Sequence, residues 1–219
     1  MNVPKLKSKI SLREYYEKFP ESDRISTGLG QLEFERTKII LKRFIPSQPA
    51  VVLDIGGGTG IYSRWLSKLG HDVHLIDQSS TLVEHARQAT KDQPDAPISS
   101  FTVGDARSLD FPDRFADVVL LFGPLYHLLE RDERYQALRE AYRVLKKGGF
   151  IFAAGISRFA SAVDGFLSDL IDDPIFRDMV EHDLIEGIHR NPTNNIMYFT
   201  DAYFHHPAEL KMEIEDNRF

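Results

Sequence analysis

The chain has 219 residues, 27 Lys and Arg against 33 Asp and Glu, a net charge of −6 and no cysteine. Its length suits one domain, and 42% hydrophobic residues are enough for a packed core. The acidic balance argues against broad capture of nucleic acid or anionic lipid, and the lack of cysteine excludes disulfides, thiolate nucleophiles and thiolate-bound metals.

At the start, Lys5-Leu6-Lys7-Ser8-Lys9 reads as a solvated basic tail, and the first ten residues lack the apolar segment of a signal peptide. No apolar run approaches the roughly 18 residues of a membrane span, so a cytoplasmic protein without membrane contact is expected. Ser11 and Glu14 have capping-box spacing and open a short helix carrying Tyr15, Tyr16 and Phe19. A second helix is predicted over about Leu32 to Phe44, stopping before Pro46.

From Ala50 the pattern changes to alternating strands and helices. Short apolar runs predict strands at Ala50–Ile55, Val73–Ile76, Phe101–Val103, Ala116–Phe122 and Phe150–Ala154. Between them, helices are expected over Tyr62–Leu69 and Thr81–Ala89, then one bearing Tyr135, Leu138, Tyr142 and Leu145 and ending at Gly148-Gly149. Such alternation implies right-handed crossovers and a doubly wound, mostly parallel α/β sheet. After Gly155 it stops. Phe159, Val163, Phe166, Leu167 and Leu170 predict an amphipathic helix, and Ile175–Ile185 another.

The most informative stretch is Val51-Val52-Leu53-Asp54-Ile55-Gly56-Gly57-Gly58-Thr59-Gly60, a glycine-rich turn leaving the first strand and opening a helix. In an open α/β sheet a nucleotide-like ligand sits there, outside the carboxyl ends of the strands. A dinucleotide turn wants a third glycine where Ile61 stands, so that the helix N-terminus can receive a pyrophosphate. Here the glycines run through Gly60, and Asp54 inside the strand would oppose a pyrophosphate while favouring a cation.

This arrangement resembles motif I of the class I S-adenosylmethionine-dependent methyltransferases. Asp77 after the second strand, Gly104-Asp105-Ala106 after the third, the Phe115–Phe122 run and Val144–Phe150 resemble the family's later motifs in order, over residues 32–156. The resemblance implies a Rossmann-like sheet of order 3-2-1-4-5 with S-adenosylmethionine as cofactor and S-adenosylhomocysteine as product. It implies that Asp54, Gly56, Gly57, Gly58, Gly60, Tyr62, Asp77, Gln78, Asp105, Ala106 and Phe122 surround the cofactor. Asp54 would orient the loop and the cofactor ammonium, Asp77 the ribose hydroxyls, and Asp105 the adenine amino group.

The N-terminal segment and Phe122–Leu129 also resemble small-molecule methyltransferases of bacterial type, and Gly123-Pro124-Leu125-Tyr126 stands where methyltransferases of nucleobase or glutamine nitrogen carry Asn-Pro-Pro-Tyr, which argues against a DNA or protein-glutamine acceptor. Methyl transfer by in-line displacement needs a general base only if the acceptor is protonated. His127 is the candidate base because its ordinary pKa is near neutral, and Tyr126 is placed to position the acceptor. Tyr15, Tyr16 and Arg24 are expected in a lid over the site. Helix capping or packing is the competing reading for His127 and these tyrosines. The aromatic residues at 197–199 and 203–204 read as core or lid contacts before they read as an acceptor pocket.

His182, His189, His205 and His206 match no helical metal-ligand spacing, so no metal is expected. A non-catalytic protein binding S-adenosylmethionine or S-adenosylhomocysteine on the same fold is the alternative, since fold does not fix function. The expected division is an N-terminal helical lid over 1–45, a cofactor-binding core over 46–156 and a helical cap with a short C-terminal segment over 157–219. The family's terminal hairpin has no room before Phe219. The fifth strand's outer edge is therefore expected to be unpaired, covered, or shared with a second copy in a homodimer.

Overall fold

The computed structural model describes Ser11, Tyr15, Tyr16, Ile25, residues 27–217 and Phe219. Glu14 and Arg24 lie outside the described residues. The elements in chain order are α1 (Gly28–Leu41), β1 (Val51–Ile55), α2 (Ile61–Lys68), β2 (Asp72–Asp77), α3 (Ser80–Thr90), β3 (Ser100–Val103) and β4 (Ala116–Leu121). Then follow α4 (Pro124–His127), α5 (Arg131–Val144), β5 (Leu145–Ala153), β6 (Ile156–Ser157), α6 (Ala160–Leu167), α7 (Pro174–Glu186), β7 (Ile188–His189), β8 (Ala202–His205) and α8 (Pro207–Asp216).

The main sheet is β3-β2-β1-β4-β5, all parallel, so the predicted strand order holds. Alternating side chains serve two cores. Leu53, Ile55, Val119 and Leu121 meet Leu138, Ala141 and Val144 of α5 on one face. On the other, Val52, Val73, Val118 and Leu120 meet Leu41 of α1 and Leu66 of α2. Two-sided burial explains why these strands are almost wholly apolar. Truncating one such leucine to alanine costs about 2–5 kcal/mol.

Helix boundaries follow local chemistry. The Ser79 hydroxyl accepts from the Leu82 N–H at the start of α3. Asp173 caps α7 through the Ile175 and Phe176 N–H groups, and Gly187 ends that helix at φ 71°. His206 and Glu209 form a capping box ahead of Pro207 in α8.

Two expectations are corrected. The helix expected to reach Gly148-Gly149 ends at Val144, and the chain passes into β5 without a loop. Leu145, which extended the apolar helical spacing, instead pairs with Ala116. Pairing resumes at Phe150↔Val118, so the intervening residues bulge. Gly149 is needed there because a Cβ would lie 2.7 Å from the Asp117 carbonyl oxygen. The segment after β5 is also not purely helical. β6 pairs parallel with β8, and β7 pairs antiparallel with β8, making a small second sheet. Two-residue strands are too short to leave a periodic signal.

α6 forms where the spacing predicts a helix, but the face expected to be buried is exposed: Phe159, Val163, Phe166 and Leu167 are 48%, 55%, 69% and 70% exposed, Ser161 and Gly165 are buried instead, and Leu170 lies beyond the helix. Among the described residues no strand pairs with the outer edge of β5, and no helix is long and apolar enough to cross a membrane.

Candidate active site

The carboxyl ends of β1, β2 and β3 each carry or lead to an aspartate, and the glycine turn passes among them. Gly56, Gly58 and Gly60 have φ of 74°, 55° and 76°. At Gly56 a Cβ would also lie 2.6 Å from Pro124 Cδ, so the turns after β1 and β4 touch there. A Cβ at Gly58 would meet nothing within 4 Å, which leaves open space beside the backbone.

Asp54, 2% exposed, lies beneath this turn, and a Cβ on Gly57 would meet its carboxyl group at 2.9 Å. Ser63 of α2 donates to Asp54 Oδ2 at 2.6 Å. Burial pushes the Asp54 pKa up to about 6; the Ser63 hydrogen bond opposes the rise and the charge of Asp77 adds to it. At Asp77, Oδ2 accepts from the Gly58 N–H at 2.9 Å and Oδ1 from the Ser79 N–H at 2.8 Å. Burial raises its pKa against those two bonds. A carboxylate has about four acceptor positions, so Asp77 keeps capacity for two further donors.

Asp105 is more fully engaged. Arg107 donates to it from Nε at 3.0 and 3.1 Å and from Nη2 at 2.6 Å, and also pairs with Glu133. The Arg107 hydrogen bonds hold the Asp105 carboxyl below its usual range, with Gln78 adding a further bond. A ligand amino group reaching Asp105 must share it with Arg107. Ala106 is buried beside it.

Tyr62 packs on Phe122 at 5.1 Å between ring centroids, and Phe34 of α1 packs on Tyr62 at 5.2 Å. α1 therefore closes over the start of α2.

Beyond β4, the single turn of α4 presents Tyr126 and His127. The Tyr16 hydroxyl and His127 Nε2 share a hydrogen bond of 2.9 Å. Tyr126 and Phe199 flank the imidazole at 4.5 and 6.3 Å, and Tyr15 packs edge-on against Phe199 at 4.8 Å. His127 Nδ1 is shielded from water. Burial drives the His127 pKa down to about 3, only partly opposed by the Asp201 backbone. The imidazole is thus neutral across the working pH range, and the near-neutral poise expected from an unperturbed histidine is absent.

The structure brings the predicted cofactor residues together at one edge of the sheet, and Tyr15, Tyr16, Tyr126 and His127 beside them. Sequence reasoning missed Ser63 and Arg107. A small polar residue on the buried face of α2, and a base two residues after Asp105, were their signals. Among the described residues no group of three or more acidic or histidine side chains could hold a metal ion.

Residues 53–153 match the family described as "Methyltransferase domain". A ubiquinone/menaquinone biosynthesis C-methyltransferase of Neisseria meningitidis is 33% identical over 117 residues, 52% of this chain and 46% of that protein. The chain thus spans about half the length of the curated relatives it first matches. A structure of an S-adenosylmethionine-dependent methyltransferase from Methanosarcina mazei superposes with a TM-score of 0.65 at 23% identity, covering 82% of this chain and 84% of that one. The [4+2]-cyclase SpnF shares the fold at a TM-score of 0.51 and 24% identity, covering 57% of this chain and 46% of that one. The cofactor these matches imply is S-adenosylmethionine. The open backbone at Gly58, the spare acceptor capacity of Asp77 and the buried carboxyl of Asp54 fit its ammonium and ribose groups.

Proposed function

We propose that this chain, by its matched domain and fold a member of the class I S-adenosylmethionine-dependent methyltransferases, moves a methyl group to a small-molecule acceptor. The observation that carries this reading is the Asp54–glycine turn–Asp77 arrangement, with the buried His127 and its aromatic neighbours alongside. Bound there, the cofactor supplies a methyl group already activated on a sulfonium.

The residues of the chain supply placement. Asp77 takes the ribose hydroxyls while its own N–H bonds from Gly58 and Ser79 keep it rigid. Asp54 faces the ammonium, and its ionised form, present above about pH 6, is the binding form. Tyr62 and Phe122 exclude water along one wall. Tyr16, Tyr126 and Phe199 surround the acceptor around His127, which as a neutral imidazole orients it. With a pKa near 3 this group is poorly matched to removing a proton at neutral pH. Near-attack placement in a dry chamber then provides most of the acceleration.

The segment over 157–219 forms the cap of the acceptor side, and Tyr15, Tyr16 and α1 belong to the lid. We place the protein in the cytoplasm, and its acidic balance favours a neutral or cationic small molecule over nucleic acid as acceptor. A second copy is the partner for the outer edge of β5, which no strand among the described residues pairs and where Phe150 and Phe44 are exposed; a monomer by sedimentation at all concentrations refutes that.

Calorimetric titration with S-adenosylhomocysteine and with NAD tests the cofactor assignment, and S-adenosylhomocysteine release over an acceptor panel tests turnover. Binding of NAD alone overturns the reading. Tight S-adenosylhomocysteine binding without turnover replaces it by a regulatory, non-catalytic role.

A further inference from the structure

Arg134, in the first turn of α5, is 2% exposed. Its Nε donates to both carboxylate oxygens of Glu213 in α8, at 3.1 and 3.0 Å, and Nη2 adds a bond of 2.7 Å. Nη1 donates to the backbone carbonyls of Leu128 at 3.0 Å and Leu129 at 2.9 Å. The guanidinium carbon lies 3.7 Å from the ring centroid of Tyr203 in β8. His205 Nε2 approaches the same Glu213 carboxylate at 3.3 Å.

The two carbonyls belong to the residues that directly follow His127. α4 is a single turn with Leu128 as its C-cap and Leu129 just beyond, and buried carbonyls there need donors from elsewhere. Arg134 supplies them. Tyr203, in turn, stands two residues after Asp201 and four after Phe199, the residues that meet the His127 ring. One buried guanidinium therefore ties the segment that follows His127, and the strand that follows Phe199 and Asp201, to α5 and α8. A buried ion pair can often be replaced by apolar residues of similar volume without loss of stability. An apolar pair cannot hold the carbonyls of Leu128 and Leu129.

We propose that Arg134 is a positioning residue for the acceptor side of the site: by gripping the Leu128 and Leu129 carbonyls over Tyr203, it fixes His127 against Tyr16 and Phe199. Only the kinetic arm of the test rests on the methyl-transfer reading.

The test pairs Arg134→Met with Glu213→Leu, so that no charge is left buried alone, and adds Arg134→Lys as a second variant. For the double variant, S-adenosylhomocysteine affinity is expected within about twofold of wild type, while kcat falls about tenfold or more. In imidazole 15N spectra, His127 of the wild type stays neutral through mildly acidic pH. In the variant it moves toward the ordinary value of 6.5. A folded double variant with wild-type kcat and unchanged His127 resonances overturns the proposal. If the double variant does not fold, Arg134→Lys is read the same way, and unchanged kcat and resonances in it are equally fatal. If the wild type turns over no acceptor, the methyl-transfer reading falls, while the His127 resonances still decide the positioning role.

Discussion

Ser63 Oγ donates to Asp54 Oδ2 at 2.6 Å inside a site where Asp54 is 2% exposed. This single bond is the principal local force lowering a carboxyl pKa that burial has lifted from 3.8 to about 6. Ser63→Ala should raise that pKa further. In the proposed function the ionised carboxylate faces the ligand ammonium, and on that reading S-adenosylhomocysteine affinity should fall as pH drops through the Asp54 pKa, with the midpoint at higher pH in the variant. Near pH 7 the expected loss is about threefold to tenfold. Calorimetry over about pH 5 to 8 reads it, and coincident pH curves for the two proteins would exclude the effect.

The same carboxyl makes a linked stability prediction. Its folded pKa lies above the ordinary 3.8, so its contribution is fully present below that value and is lost as pH rises through about 6. Glu213 has the opposite sign. Burial would raise its pKa, but the hydrogen bonds from His205 and Arg134 outweigh that and lower it from 4.5 to about 2. Its contribution, about 3 kcal/mol, is present above 4.5 and lost as pH falls toward 2. Glu213→Gln leaves Arg134 buried without its counter-charge, and should cost about 3 kcal/mol near neutral pH. The variant's stability should also fall less steeply than the wild type's below pH 4.5. Urea unfolding at a series of pH values measures both.

His127→Ala should slow turnover about tenfold or more, with S-adenosylhomocysteine affinity changed by less than about twofold. Since the imidazole is neutral well into the acid range, the wild-type rate should show no ionisation belonging to His127 between about pH 6 and 9. A rate limb in that window that disappears in the alanine variant would restore the general-base assignment.

Two neighbouring glycines should respond differently to alanine. At Gly56, φ of 74° and the approach of Pro124 Cδ to 2.6 Å act together. Gly56→Ala should therefore lose about 2 kcal/mol or more and melt several degrees lower. At Gly58 there is backbone strain at φ 55° but no obstructing atom, so stability should fall by about 1 kcal/mol. The added methyl occupies the open space beside the turn, and S-adenosylhomocysteine affinity should drop about tenfold or more. Unimpaired binding by Gly58→Ala would move the ligand away from this turn.

Much of the cofactor side was legible because its determinants are local. Asp54 and the glycines share one strand and turn, and Asp77 ends the next apolar run. The acceptor side was less legible because its contacts join residues far apart in the chain. Tyr16 and His127 are 111 positions apart, and Arg134 and Glu213 are 79 apart. No spacing rule links such pairs. His127 was recognisable as a candidate, but its depressed pKa depends on burial by segments whose packing the sequence does not announce. The Val144–Leu145 boundary was misplaced for a different reason: leucine at helical spacing is also what a strand entering the core requires.

The irregular stretch between Leu145 and Phe150 has an evolutionary and engineering consequence. Before Phe150, surplus residues already loop out between two fixed pairings, so one more would lengthen the bulge and leave the rest of β5 in place. After Phe150, Ile151 and Ala153 face one core and Phe152 the other. A single inserted residue there would exchange the two sides and put Phe152 where Ile151 or Ala153 belongs. Chain length is negotiable on one side of Phe150 and fixed on the other, so a peptide tag or label could enter the core domain through Lys147-Gly148.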